Sequence, residues 1–267
     1  MKFYKYHALG NDYIVIDPNE SKTDLTIENI KLICNRHYGV GSDGILLGPE
    51  KSGDIFGLRI FNPDGSEAEK SGNGLRIFSR YLWDKGLVTK NEFTIRTPGG
   101  NVKSQVFNGG KLVKIEMGTV SFNSADIPVA GETGECIQKQ LKVCKKVFTY
   151  NAATIGNPHC IIIMDNISPE LIKKYGRFIE LHPKFPNRTN VQFMKIIDKN
   201  CIQIEIWERG AGYTLSSGSS STAAAAVAYK LNKCVNNINV RMQGGELAIN
   251  FNRDFYATMT GPVTAVY

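Results

Sequence analysis

The stretch GYTLSSGSSSTAAAA, residues 212–226, places five serines within the six positions 216–221 and then continues into a run of alanines. Serine is favoured at the residue that caps a helix N-terminus, and alanine is the strongest helix former. The stretch therefore predicts a serine-capped helix over residues 219–231. Because alanine covers all sides of this helix, we expect a sheet to enclose it.

An earlier segment has the same pattern at a constant distance along the chain. Residues 62–86, NPDGSEAEKSGNGLRIFSRYLWDKG, also place Ser-Gly before a helical pattern, here over residues 73–85, and Ser71 precedes Ser217 by 146 positions. The same offset aligns GNDYIVID with GNPHCIIIMD, and an offset of 145 aligns FTIRTPGG with INVRMQGG. The chain is therefore predicted to be an internal duplication whose halves meet near residues 118–122.

Each half also contains short segments that are typical of strands. Segments such as FGLRIF, FTIRT, VQFMKII and IQIEIWE are rich in β-branched and aromatic residues and are bounded by Gly, Asn, Pro or Asp. A further segment, LTIENIKLICNRHYG, has helical spacing. The sequence predicts an α/β (α+β) fold of two similar domains, each a mainly antiparallel sheet wrapped around a central helix.

Composition narrows the functional class. The 267 residues carry a net charge of +7, and 42% of them are hydrophobic, which is enough for a sizeable core. No stripe of Arg and Lys with interleaved aromatics points to nucleic acid, and no apolar run reaches the roughly 18 residues that span a membrane. The N-terminus lacks the apolar region of a signal peptide. We therefore expect a cytoplasmic protein that binds neither nucleic acid nor membrane. The positive charge is interpreted first as a solvated basic surface, with a preference for a small anionic substrate as the alternative.

The cysteines and histidines show neither a disulfide framework nor a metal site. The six cysteines form no C-x-x-C pair, and several lie in apolar runs, so we expect reduced core residues. The four histidines lack the spacing of metal ligands.

The two predicted helix starts are candidate binding sites for a carboxylate. A helix N-terminus carries unpaired backbone N–H groups and a partial positive charge, and glycine lets the backbone approach a ligand closely. Serines also cap helices that have no function. The pairing of SGNG at Ser71 with SGSS at Ser217 favours the functional interpretation.

Several long motifs identify a family. They are HALGNDYIVID, GVGSDGILL, IFNPDGSEAEKSGNGLRIFSRYL, TPGG, GNPHC, NRTNVQF and WERGAGYTLSSGSSSTAAAAVAY. Over nearly its full length the chain resembles the diaminopimelate epimerases. The resemblance implies two pseudo-symmetric domains, residues 1–118 plus 263–267 and residues 119–262, with the site in the cleft between them. It also implies a metal-free, cofactor-independent inversion of an amino-acid α-carbon, on L,L-diaminopimelate or a related amino acid. Family members are often homodimers.

The resemblance assigns roles to individual residues. Ser71 and Ser217 occupy the two acid/base positions, and His159 and Glu208 lie close to that pair. The substrate-binding positions are Asn11, Asn62, Gly72, Asn73, Asn157, Asn190, Glu208, Arg209, Gly218 and Ser219. Among these, the backbones after the two serines hold the α-carboxylate. Arg209 pairs with a distal carboxylate, which suits its planar guanidinium.

The chain departs from the family at both acid/base positions, because family members carry cysteine there. A thiol ionises near pH 8.5, whereas a serine hydroxyl needs an adjacent base. Three explanations remain open: an engineered inactive pair, a natural paralogue with altered chemistry, and a binder that has lost turnover. The paralogue could act as an epimerase, or as a one-base isomerase or dehydratase on another amino acid, with His159 or Glu208 as the base.

Overall fold

The structure, a computed structural model, describes residues 1–89 and 91–267. The chain divides into two compact units. Unit 1 comprises Met1–Glu116 and Thr260–Tyr267, and unit 2 comprises Met117–Met259. Within the described ranges, no helix is both long enough and apolar enough to cross a membrane.

Among the residues that the structure describes, eighteen strands and four α-helices are distributed over the two units. In chain order, the elements up to residue 119 are β1 Tyr4–Ala8, β2 Asn11–Ile16, α1 Ile27–Cys34, β3 Ile45–Ser52, β4 Ile55–Phe61, β5 Glu67–Ala68, α2 Gly72–Asp84, β6 Phe93–Thr97, β7 Gly100–Phe107 and β8 Leu112–Thr119. They continue with β9 Lys139–Val143, β10 Lys146–Thr154, β11 Pro158–Ile163, α3 Pro169–Glu180, β12 Asn190–Asp198, β13 Cys201–Glu208, β14 Gly212–Thr214, α4 Gly218–Lys230, β15 Asn237–Met242, β16 Gly245–Phe251, β17 Tyr256–Pro262 and β18 Thr264–Ala265. The chain leaves unit 1 within β8 and returns to it within β17.

The two units repeat one pattern of strand pairing. β2 runs parallel to β3 and β11 runs parallel to β12, whereas β3–β4 and β12–β13 are antiparallel. Ile14 pairs with Ile45 in unit 1, and Cys160 pairs with Val191 in unit 2, so both partners are shifted by the same 146 positions. This agreement in register supports the internal duplication that the sequence predicts.

Each unit packs its sheet around one long helix, as predicted. α2 and α4 both contain 13 residues and begin at Gly72 and Gly218, one residue earlier than expected. The apolar side of α2 is buried against β1, β2 and β7, whereas α4 contacts β10–β13 and β16. The alanines of α4 are completely buried. Small side chains thus let the strands approach this helix closely on several sides.

The sequence analysis missed one helix, α3, and three strands of unit 2, β9, β10 and β14. α3 begins at Pro169 behind the Ser168 cap, whose hydroxyl accepts the Leu171 N–H at 3.2 Å. A Ser-Pro-Glu start was therefore available as a signal. β9 has a polar sequence, KQLKV, in which only Leu141 and Val143 are buried. Its weak alternation explains why it was not identified.

The helix α3 packs closely on the strand that leads to Glu208. A Cβ atom at Gly176 would lie 2.6 Å from Cγ of Trp207, which is far inside van der Waals contact. Trp207 directly precedes Glu208 at the end of β13. Glycine at position 176 therefore allows α3 to lie against the indole ring.

We predict that Gly176→Ala lowers the free energy of unfolding by about 1–3 kcal/mol, the usual effect of overpacking. The clash outweighs the roughly 1 kcal/mol that alanine gains over glycine inside a helix. Urea denaturation measures the change. Lys174→Ala, on the exposed side of α3, is the matched control and should stay within about 0.5 kcal/mol of the parent. A Gly176→Ala protein more stable than the parent would contradict this packing.

Candidate active site

The first serine of the predicted acid/base pair caps helix α2. The Ser71 hydroxyl accepts the Gly74 N–H at 3.1 Å, and its backbone carbonyl accepts the Leu75 N–H at 2.8 Å. Ser71 has an extended backbone before the first helical residue, Gly72. The N–H groups of the first turn lack carbonyl partners within a helix, so this turn can receive an anion.

A chain of amides braces this turn from strand β2. Asn73 Nδ2 donates to Asn11 Oδ1 at 2.9 Å, and Asn11 Nδ2 donates to Asp43 Oδ2 at 2.8 Å. On the other side, the buried Arg76 guanidinium donates to Asn73 Oδ1 at 3.0 Å. Asn11, Gly72, Asn73 and Ser71 are therefore brought together in unit 1, as the resemblance implies.

Unit 2 repeats the arrangement around α4. The Ser217 hydroxyl accepts the Ser220 N–H at 3.4 Å, and the Ser217 carbonyl accepts the Ser221 N–H at 3.0 Å. Asn157 Nδ2 donates to Ser219 Oγ at 3.4 Å. The positions of this last pair match those of Asn11 and Asn73 at an offset of 146, so the same brace occurs in both units.

Ser217 has an additional contact with a carboxylate. Glu208 ends β13 and pairs with Gly212 of β14, and the chain then turns back so that Ser217, the cap of α4, contacts Glu208. Burial raises the pKa of Glu208, and the hydrogen bond from the Ser217 hydroxyl lowers it by a smaller amount. A carboxyl group with a raised pKa beside a hydroxyl is the arrangement that general-base activation requires.

His159 lies in β11 near the same helix start. It is completely buried, and its Nε2 lies 3.0 Å from Asn157 Oδ1. Burial lowers the pKa of His159 to about 3, so the imidazole is neutral at physiological pH. Gln192 contacts His159 and also donates from Nε2 to Ser220 Oγ at 2.9 Å. Ser220 thus accepts a hydrogen bond from Gln192 in addition to lying in the first turn of α4.

Asn190 and Arg209 meet beside the end of β13. Asn190 Oδ1 accepts the Arg209 N–H at 3.0 Å, and Asn190 Nδ2 donates to the Pro158 carbonyl at 2.9 Å. The Arg209 guanidinium donates to the Asn187 carbonyl at 3.0 Å and remains exposed. An exposed guanidinium held at one end can bind a carboxylate with its remaining donors.

A buried carboxylate, which the sequence analysis missed, fixes the Trp207–Gly210 turn. Glu180, the last residue of α3, accepts the indole N–H of Trp207 at 2.7 Å and the Gly210 N–H at 2.9 Å. Arg188 also hydrogen-bonds to it. Burial acts to raise the pKa of Glu180, but these donors bring it below its usual value. An ionised Glu180 therefore holds the segment that carries Glu208 and Arg209.

Asn62, a predicted binding residue, makes its hydrogen bonds within its own turn. It donates to Ser66 Oγ at 3.0 Å, and its backbone N–H reaches the Ser66 carbonyl at 2.8 Å. These bonds close the turn between β4 and β5, so the structure gives Asn62 a turn role and leaves its binding role a prediction. Asn62 corresponds to Glu208 at the offset of 146.

Comparison with known proteins identifies the family. The family model described as Diaminopimelate epimerase matches residues 3–123 and 151–266. The chain belongs to the diaminopimelate epimerase family. A protein named diaminopimelate epimerase 2 from Nostoc sp. is 61% identical over 99% of this chain and 93% of its own length. Diaminopimelate epimerase of Methanococcus maripaludis is 38% identical over 100% and 98%, respectively.

Solved structures agree on the fold of the diaminopimelate epimerase family. A hydroxyproline epimerase from Agrobacterium vitis, with bound trans-4-hydroxy-L-proline, has a TM-score of 0.71 at 14% identity, covering 99% of this chain and 88% of that one. A phenazine biosynthesis protein of the PhzF family from Bacillus anthracis also has a TM-score of 0.71, at 16% identity, covering 100% and 98%. The predicted family and fold class are therefore confirmed.

The contact between Glu208 and Ser217 gives a prediction for stability. A carboxyl group whose pKa is raised by folding destabilises the folded state once the unfolded chain ionises, above about pH 4.5. We expect Glu208→Gln to have a higher free energy of unfolding than the parent at pH 8. The difference should shrink as the pH falls and vanish below the unfolded-state value.

Urea denaturation at pH 4 and pH 8 measures this difference. Glu170→Gln is the matched control, because Glu170 is exposed and its pKa is lowered by the N–H groups of its own helix start and by Ser168. The control should show no gain at pH 8. A Glu208→Gln protein that is no more stable than the parent at pH 8 would refute the buried charge.

Proposed function

We propose that this protein is a cofactor-independent amino-acid epimerase of the diaminopimelate epimerase type, in which a carboxylate replaces the missing thiol as the source of basicity. The observation that carries the proposal is the contact of the Ser217 hydroxyl, which caps α4, with Glu208, whose pKa is raised by burial. Serine acts in proton transfer when an adjacent base activates it. Glu208 occupies that place.

The substrate in this proposal is a free amino acid, by resemblance L,L- or meso-diaminopimelate. Its α-carboxylate binds to the first-turn N–H groups at Gly72–Asn73 and Gly218–Ser219. Asn11 and Asn157 hold these turns through equivalent hydrogen bonds. The net charge of +7 attracts such an anion. No metal or cofactor takes part.

The far end of the substrate binds near Arg209 in this proposal. The exposed guanidinium of Arg209 pairs with the distal carboxylate, and Asn190 orients the backbone of the same residue. Glu180 supports this position through Trp207 and Gly210. Asn62 serves as a further polar contact. A buried, ionised Glu180 favours a rigid segment, which is what a two-ended substrate requires.

The proposed proton transfer at Ser217 uses its contact with Glu208 and its hydrogen bond from the Ser220 N–H. When the α-proton moves to Ser217 Oγ, the hydroxyl proton moves to the Glu208 carboxylate, so the electron pair of the broken C–H bond stays on the α-carbon. The Ser220 N–H, which contacts Ser217 Oγ at 3.4 Å, stabilises negative charge on that oxygen. His159, with its lowered pKa, stays neutral and acts as a hydrogen-bonding group.

A one-base isomerase or dehydratase acting on another amino acid is the second candidate. The observation that favours it is the inequality of the two serines, since Ser217 contacts a carboxylate and Ser71 contacts the phenol of Tyr13. A chain with one strong base can remove a proton on one face only. In a third case, both serines are too weak and the protein binds an amino acid without turning it over.

Exchange of the α-proton in deuterium oxide, followed by proton NMR, tests these candidates. We predict that the parent protein introduces deuterium at the α-carbon of L,L- and meso-diaminopimelate, more slowly than the Ser71→Cys/Ser217→Cys variant. Glu208→Gln should reduce exchange in the parent by about 10²–10⁴-fold, the usual contribution of a positioned base. Product analysis separates an inverted amino acid from a keto acid.

The remaining outcomes each exclude a candidate. If only the double cysteine variant exchanges the α-proton, the parent protein does not turn the substrate over. The binding site is then intact, and the two serines make it inactive. Exchange by neither protein, with diaminopimelate or the common amino acids, would refute the epimerase altogether. Exchange by the parent that is unaffected by Glu208→Gln would refute Glu208 as the base.

A further inference from the structure

Ser71, like Ser217, contacts an ionisable side chain. The sequence analysis did not single out this residue, Tyr13. The Tyr13 phenol oxygen lies 3.3 Å from Ser71 Oγ, and either oxygen can donate. This distance is long for a hydrogen bond between hydroxyl groups, but such contacts often shorten once substrate is bound. The contact lies wholly within unit 1.

The ring of Tyr13 is fixed in place. Tyr13 lies in β2 and is only 7% exposed. A Cβ atom at Gly44 would lie 2.7 Å from Cε1 of Tyr13, so the ring packs directly on the Gly44 backbone. The Ser71 hydroxyl is held by the Gly74 N–H, which it accepts at 3.1 Å. Both oxygens therefore have little freedom to separate.

The duplication gives this position a counterpart. Tyr13 and His159 are separated by 146 residues, the same offset as Ser71 and Ser217. Each unit thus places an ionisable ring at a matched position, Tyr13 in β2 and His159 in β11. Tyr13 contacts the helix-capping serine, whereas His159 contacts Asn157. Both units therefore have a ring at this position, but the ring contacts a different residue in each unit.

We propose that Tyr13 is a proton-relay residue for Ser71, which rests on the function proposed above. When Ser71 protonates the α-carbon, a C–H bond forms and the Ser71 O–H bond breaks. The Tyr13 phenol proton moves to Ser71 Oγ in the same step, and the charge remains as phenolate. Solvent then returns a proton to Tyr13 and removes one from Glu208, so the cycle balances.

A phenol suits this position because it is more acidic than an aliphatic hydroxyl. An aliphatic hydroxyl that gives up its proton leaves an alkoxide, which is far more basic than a phenolate. Relay from Tyr13 avoids that alkoxide at Ser71, as transfer to Glu208 avoids it at Ser217. In the reverse direction, the Tyr13 phenolate accepts the Ser71 proton while Ser71 removes the α-proton. The two serines thus work with different partners.

The test compares Tyr13→Phe, which removes one oxygen, with Tyr6→Phe. Tyr6 is the cross-strand partner of Tyr13, is equally buried, and donates its hydroxyl to Asp84 at 3.1 Å. We expect Tyr13→Phe to lower exchange at the α-carbon in deuterium oxide by about 10²-fold, with the dissociation constant for the amino acid unchanged. Tyr6→Phe should leave both quantities unchanged.

The Ser71→Cys background separates relay from packing. A thiol ionises without help, so Tyr13→Phe should have little effect on exchange in the Ser71→Cys protein. An equal loss in the two backgrounds would show that Tyr13 only supports the structure and would overturn the relay. Undiminished exchange by Tyr13→Phe in the serine background would overturn it as well.

Two further outcomes are distinguishable from these. If the parent protein exchanges no amino acid at all, the proposed function fails and the relay falls with it. If Tyr13→Phe does not fold, 3-fluorotyrosine at position 13 keeps the hydroxyl group and makes it more acidic. An exchange rate unaffected by this replacement in the parent would overturn the relay, and a change that is lost in Ser71→Cys would support it.

Discussion

The hydroxyl of Ser217 has both a structural role and a proposed catalytic role in unit 2. It accepts the Ser220 N–H that begins α4 and contacts Glu208 at the end of β13. The alanines of α4 let the surrounding strands approach closely, which fixes where this helix begins. A hydroxyl that must both cap a helix and meet a partly buried carboxyl group has few available positions, so the chemistry proposed for unit 2 depends on that contact.

The backbone of the two units has stayed alike while the side chains have diverged. Both units brace the helix start with an asparagine, Asn11 at the start of β2 in one and Asn157 directly before β11 in the other. At other matched positions the residues differ, since Asn62 closes a turn where its counterpart Glu208 reaches Ser217. Equivalent scaffolds therefore support unequal acid/base groups, and an inversion of configuration requires one group for each face.

The sequence predicted those features that depend on local pattern or on the repeat. The Ser-Gly motifs located α2 and α4 to within one residue, because capping and helix propensity act along the chain. The contact of Glu180 with Trp207 and Gly210 joins residues that are 27 and 30 positions apart, and no periodicity in the sequence encodes it. Tyr13 could have been identified from the sequence, because the 146-residue offset that aligned Ser71 with Ser217 also aligns Tyr13 with His159.

The titration of Glu208 by carbon-13 NMR of its side-chain carboxyl group tests the central contact most directly. In the parent protein the pKa should lie above the ordinary value of 4.5, because burial is the larger influence. In Ser217→Ala it should rise further, because the hydroxyl that stabilises the carboxylate is gone. A parent value at or below 4.5, or a value that Ser217→Ala leaves unchanged, would contradict the account.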